Sequence, residues 1–198
     1  SSAASDVYKR QVLGKSRSYL HTWADKALTD TQFEQFAAAI KRRQAGEPVA
    51  YIIGQQGFWT LDLDVAPHTL IPRPDTELLV ETALQLIPAT PAAVLDLGTG
   101  TGAIALALAC ERPAWQLCGL DRVPQAVELA ERNRRRLQLA NARFMQSNWF
   151  AALDDQRYQM IVSNPPYIAA DDQHLSQGDV RFEPSSALVA GLSLIHIS

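Results

Sequence analysis

The sequence is poor in cysteine, in long apolar runs and in excess charge of either sign. Its only cysteines are Cys110 and Cys118, eight positions apart. That spacing excludes a CxxC redox pair, and two cysteines are too few for a disulfide scaffold. A reduced, cytoplasmic protein is expected. The longest apolar stretches, residues 103–110 and the run around Met160, fall far short of the ~20 residues of a membrane helix, so no membrane partner is expected. Eighteen basic residues stand against 21 acidic ones, a net charge of −3. No global basic field exists to neutralise phosphates, which disfavours a general nucleic-acid binder. The histidines (His21, His68, His174 and His196) show no ligand spacing, so no metal is expected. Internal repeats and low-complexity tracts are absent.

What remains is a chain of 198 residues, 47% hydrophobic and 20% charged. That suits one α/β domain with a small appendage. Residues 1–11 and 192–198 fit neither a helix cap nor a signal peptide, and both are read as foreign, a non-native leader and tail. Residues 29–45 read as an amphipathic helix. Thr31 and Glu34 form a candidate capping box, with Phe33, Phe36, Ala37 and Ile40 on one face. Residues 60–65 alternate as a half-buried strand, expected to pair in a hairpin with residues 51–53. Pro67, Pro72 and Pro74 mark a stiff connection. Beyond Pro91 the pattern becomes strand (93–97), helix (103–111), strand (116–121), helix (124–139), then strands at 142–147 and 159–164. Such alternation argues a doubly wound parallel sheet.

The first of those strands runs into Asp96, Leu97, Gly98, Thr99, Gly100, Thr101 and Gly102. Glycines there allow a tight turn and close approach of a ligand to main-chain N–H groups. The spacing is GxGxG, not the GxGxxG of dinucleotide sites. Asp121 closes the next strand, 19 residues after Gly102, where a carboxylate can take ribose hydroxyls. The combination resembles the S-adenosylmethionine loop of Rossmann-like methyltransferases. A nicotinamide site and a plain strand-to-helix turn stand beside it as alternatives.

The strand at 159–164 ends in Asn164, Pro165, Pro166 and Tyr167. Ligands of open α/β sheets bind outside the carboxyl ends of strands, so this tetrapeptide and the glycine loop should share a crevice. The chemistry suits a planar NH₂ group, whose delocalised lone pair makes it a poor nucleophile. The Asn164 side-chain oxygen and the Pro165 carbonyl can each grip one N–H. The prolines stiffen the turn, and Tyr167 offers an aromatic face. The motif resembles that of methyltransferases acting on amino groups of adenine, cytosine, guanine or glutamine.

The segment from Ile71 to Glu77 (IPRPDTE) narrows the likeness. Together with GEPVAYI at 46–52, the glycine loop, NPPY and GDVRFEP at 178–184, it resembles the HemK/PrmC family of release-factor glutamine methyltransferases over residues 28–191. The resemblance implies a class I S-adenosylmethionine-dependent methyltransferase fold with a small N-terminal helical domain and a β-hairpin linker. It implies a helical domain at 12–48, a hairpin linker at 49–74 and a methyltransferase domain at 75–191. The implied activity is methylation of the glutamine N5 of the Gly-Gly-Gln motif in class I peptide-chain release factors. The implied donor residues are Asp96, Gly98, Thr99, Gly100, Thr101, Gly102, Asp121, Trp149 and Asn164. Asn164, Pro165, Pro166 and Tyr167 would hold the acceptor amide, with Asn164, Pro165 and Tyr167 catalytic. Arg73, Asp75 and Glu77 would shape a wall, the acids doubling as complements to the dipole of a helix at 75–87.

Two departures stand out. Asn148 replaces an Asp that commonly precedes the tryptophan, keeping an acceptor but losing the charge. Only four of the family's seven strands occur, so the last strand should form an exposed apolar edge. The polypeptide as written is therefore expected to fold poorly and turn over slowly. Arg132, Arg134, Arg135 and Arg136 read as a solvated helix face. A monomer acting on protein, with no direct nucleic-acid substrate, is expected. The alternative is a DNA or RNA amino-methyltransferase using the same NPPY site, which would want a basic groove.

Overall fold

The computed structural model describes residues 2–190, which fall into two compact units divided between Gly54 and Gln55. The tail expected at 192–198 lies outside the described residues. The first unit holds helices α1 (Ser2–Leu13), α2 (Arg17–Thr22), α3 (Asp30–Gln44) and α4 (Val49–Ile53). The segment read as a leader is thus helical from Ser2, and Tyr8 is buried. The α3 capping box is formed by Thr29 and Gln32, not by Thr31 and Glu34. The Thr29 hydroxyl accepts from Gln32 N–H at 3.3 Å, and Gln32 Oε1 accepts from Thr29 N–H at 3.0 Å. The box that forms lies two residues earlier than the expected one and satisfies orphan donors of the first turn. The apolar face is correspondingly rotated: Phe33 and Ala37 differ in exposure from the expected face, Phe33 being exposed, while Phe36, Ala39 and Ile40 have no fully buried member.

Residues 51–53 belong to α4 rather than to a strand, closed by Gly54 in the left-handed conformation at φ 74°. The hairpin pairs β1 (Gln55–Phe58) with β2 (Leu61–Asp64), Phe58 opposite Leu61. Its two-residue turn puts Trp59 at φ 56°, as tight hairpin turns demand. Two acids hold this unusual residue. Glu77 accepts its backbone N–H and Glu111 its indole N–H, both at 2.8 Å.

A 3₁₀ turn (Pro74–Thr76) leads into α5 (Glu77–Leu86). Then follow β3 (Ala93–Leu97), α6 (Ala103–Glu111), β4 (Gln116–Asp121), α7 (Pro124–Arg136), β5 (Ala142–Gln146) and β6 (Met160–Ser163), with a short α8 (Ser185–Leu188). The four strands β3–β6 run parallel in the order β5-β4-β3-β6. This is a Rossmann-like α/β fold. The chain winds outward from β3 to β5, then returns to the other side of β3 as β6. The reversal between β3 and β6 opens a crevice at their carboxyl ends.

One sheet face is covered throughout, the other only in part. One packs Val94, Leu117 and Val162 against α6, α5 and the hairpin; the other gathers Leu95, Leu97, Cys118 and Leu120 with Met145, Leu153 and Tyr158. Helix α6 is buried on every side from Ala103 to Ala109, which explains why it lacks a polar face. Asn133 fastens the hairpin to the sheet layer. It accepts from Asp64 N–H at 2.8 Å and donates to the carbonyls of Asp64 and Thr101 at 3.0 Å each. Among the described residues β6 is an edge strand, and its Ile161 is exposed. No described helix is long and apolar enough to cross a membrane.

Candidate active site

The crevice holds a cavity of about 590 Å³, well within the range of small-molecule sites. The ends of all four sheet strands contribute to its lining: Gly98–Thr101 after β3, Asp121 from β4, Ser147 and Trp149 after β5, Asn164 and Pro165 after β6. A second cavity of about 410 Å³ adjoins it, lined by Arg73, Asp75, Tyr167 and Ile168 among others. Leu70, Thr76, Asn164, Pro165 and Ala187 line both. The tetrapeptide is therefore a partition with one face in each cavity.

The glycine loop is built differently from the sequence expectation. Four of its amides turn inward. Gly98 and Thr99 N–H both donate to Leu120 O at 2.9 Å, Gly100 N–H to Asp121 Oδ2 at 3.0 Å, and Gly102 N–H to Thr99 O at 2.8 Å. These four donors are spent on the turn itself. What the loop offers is close approach. Gly98 and Gly100 have φ of 73° and 54°, and a Cβ on either would meet nothing within 4 Å. Gly102 does not line the cavity. A Cβ there would stand 3.0 Å from both Leu106 and Phe144, so this glycine serves helix packing.

Asp96 corrects a second expectation. It is fully buried beneath the loop and lines neither cavity. One carboxylate oxygen accepts from Thr99 Oγ1 at 2.7 Å, while Oδ1 lacks a partner of full hydrogen-bond geometry. Burial pushes this carboxyl up to about 6, against the opposing pull of the Thr99 hydroxyl and the Ala105 amide, with a small further rise from the Asp121 charge. Its partner Thr99 does line the first cavity.

Asp121 does face the cavity. Its two oxygens accept from Gly100 N–H and, at 2.9 Å, from Val123 N–H. Each keeps a lone pair for a ligand hydroxyl. Trp149, half-exposed at φ 53°, also borders the cavity. Ser147, which sequence reasoning missed, braces that turn by donating to Trp149 O at 2.7 Å and accepting from Ala152 N–H at 3.0 Å. Asn148 lines the cavity as well.

Asn164 donates through Nδ2 to Thr76 Oγ1 at 3.2 Å. Ser163 Oγ donates to Leu97 O at 2.8 Å, tying the tetrapeptide to the root of the glycine loop. Tyr167 stands 75% exposed at the second cavity, away from the first. Glu183, buried within GDVRFEP, pairs with Arg73 and accepts Ile71 N–H at 3.0 Å. The two segments, 110 residues apart, thus form one wall. No local signal in the sequence marks that pairing. Among the described residues no group of three or more His, Cys, Asp or Glu side chains is placed to hold a metal.

Residues 74–185 match the family model of the methyltransferase small domain, and residues 3–54 that of the PrmC N-terminal domain. The release factor glutamine methyltransferase of Pseudomonas aeruginosa is 65% identical over 179 residues, covering 90% of this chain and 65% of that protein. The enzyme of the same name from Salmonella typhimurium is 56% identical over 185 residues, covering 93% and 67%. That from Escherichia coli is 52% identical over 196 residues, covering 97% and 71%. The chain spans about two thirds of the length of these curated relatives.

Proposed function

The chain belongs to the HemK/PrmC family of release factor glutamine methyltransferases, and from that membership we propose that it methylates the glutamine side-chain amide nitrogen, N5, in the Gly-Gly-Gln motif of class I release factors. The observation that carries the reading is the partition. Asn164 and Pro165 border two adjoining cavities, one holding the glycine loop and Asp121, the other opening past Tyr167. A methyl donor on one side and an acceptor amide on the other would meet across them.

S-adenosylmethionine fits the first cavity by the chemistry of its lining. The loop spends four of its amides internally, which suits a ligand with no phosphate to receive them. The open space over Gly98 and Gly100 admits a close approach, and the Asp121 carboxylate suits ribose hydroxyls. Trp149 offers an aromatic edge for an adenine. The chemistry supplied when the donor is bound is an electrophilic methyl carbon: the C–N bond forms as the C–S bond breaks, a neutral thioether leaves, and the amide nitrogen loses one proton to water.

The protein's own part is orientation. Asn164 Oδ1 and the Pro165 carbonyl accept the two amide N–H bonds, which orients the nitrogen with one face toward the donor side and raises its electron density. Two consecutive prolines hold these acceptors in place at no further entropic cost. The gain is that of positioning. A protein substrate is favoured over nucleic acid by the arginines of α7. Arg132 and Arg136 share Asp64, and Arg134 and Arg135 share Glu131, so all four arginines of the run are engaged by neighbouring acids and half of their charge is offset. Asn164→Ala is expected to abolish transfer while donor binding by calorimetry stays nearly intact. Transfer that survives the substitution overturns the mechanism.

A further inference from the structure

Thr76 ends the 3₁₀ turn that runs into α5. Its backbone is helical, at φ −71° and ψ −18°, so it does not have the extended conformation in which a threonine caps a helix, and its hydroxyl makes no capping bond. The hydroxyl receives the Asn164 side-chain N–H across 88 positions of sequence.

The setting is rigid on both sides of Thr76. Arg73 is tied to the buried Glu183, and Thr76 N–H donates back to Arg73 O at 3.0 Å. Glu77 is tied to Trp59 N–H. Thr76 also lines both cavities, beside the two acceptors of the partition.

An asparagine amide has two nearly isosteric faces, an oxygen that accepts and a nitrogen that donates. Only the oxygen can receive an N–H from an acceptor NH₂ group. A threonine hydroxyl serves either face, accepting from the nitrogen or donating to the oxygen, so what it can fix is the place of the amide and not its flip. Resting on the glutamine reading above, we propose that Thr76 is a positioning residue: by its bond to the Asn164 side-chain amide it holds that side chain's rotamer, keeping the amide where the two cavities meet beside Pro165. Thr76 touches no reacting atom in this role and acts through Asn164 alone.

The test compares the ¹⁵N-labelled protein with its Thr76→Ser and Thr76→Val variants. Thr76→Ala serves as the second deletion of the hydroxyl should valine prevent folding. The Asn164 side-chain amide signals are assigned by their loss in Asn164→Ala. They should be well dispersed and slow to exchange in the wild type and in Thr76→Ser. In Thr76→Val they should move toward those of exposed asparagines and exchange faster. With labelled donor and a class I release factor, kcat should fall about 10- to 100-fold in Thr76→Val, with donor affinity and Tm little changed. Thr76→Ser should restore it. Unchanged Asn164 signals or unchanged kcat in Thr76→Val overturns the proposal, as does a serine variant no better than valine. If the wild type methylates no release factor, the glutamine reading falls, and the amide signals alone decide whether Thr76 holds Asn164.

Discussion

Replacing Asp96 by asparagine should change how stability depends on pH, by an amount the structure sets. The carboxyl is fully buried and rises from 3.8 to about 6. Below about pH 4 both folded and unfolded chains hold the proton, and burial costs nothing in charge. Between about pH 4 and pH 6 the unfolded chain has released its proton while the folded chain still holds one, so rising pH favours unfolding. Above about pH 6 the penalty is constant at about 3 kcal/mol. Other carboxyls act in the opposite sense. Glu131 is held below the usual range by Arg134 and Arg135, and Glu47 by Arg42. Their stabilisation is lost as pH falls, but it cancels in the difference between wild type and variant. The introduced asparagine would keep an acceptor for the Thr99 hydroxyl and carry no charge. Urea unfolding at pH 4 and pH 7 should therefore show Asp96→Asn gaining about 2–3 kcal/mol on the wild type between the two. A difference that stays constant within about 0.5 kcal/mol would refute the view that Asp96 is a charge held in an apolar site.

Removing Glu183 should loosen the wall behind the second cavity. Glu183→Ala leaves Ile71 N–H without its acceptor and Arg73 without its partner, at an expected cost of about 2–4 kcal/mol in urea unfolding, and Glu183→Gln should recover part of it. Gly119→Ala puts a Cβ 2.4 Å from Phe144 and 2.7 Å from Thr99 Oγ1. Calorimetry should show weaker donor binding, and Tm should fall by the equivalent of about 1–3 kcal/mol. Asn133→Ala removes the bonds to Asp64 and Thr101. It is expected to cost about 2–4 kcal/mol and to speed amide exchange in β2 ahead of β3.

Much of the second unit was legible because its signals are local. The runs 93–97 and 116–121 are short and apolar, the mark of strands buried on both faces, and they form β3 and β4 at those bounds. Helix α6 begins after Gly102 and ends two residues before Pro113, as its breakers imply. Errors arose where two local readings competed. Residues 51–53 suit a strand by β-branching, yet Gly54 in the left-handed conformation closes them as a helical turn. Thr31 with Glu34 fits the capping pattern, yet Thr29 with Gln32 forms the box, two residues earlier. At the site, the residue types of the partition and the loop could be read, but not their partners. Asp96 looks like a ligand residue because it precedes the glycines, and only the fold shows Thr99 standing between it and the cavity. The bonds from Thr76 to Asn164 and from Arg73 to Glu183 span 88 and 110 positions. Such pairings follow from the return of the chain to β6, which no local pattern encodes.

The central claim is that the partition orients a glutamine amide. The most direct measurement supplies methyl-labelled S-adenosylmethionine to the protein with a class I release factor, and with duplex and single-stranded DNA in a parallel reaction. The account predicts label on the release factor, lost when the glutamine of its Gly-Gly-Gln motif is replaced. Label on DNA alone, or label on a release factor that lacks that glutamine, would contradict it.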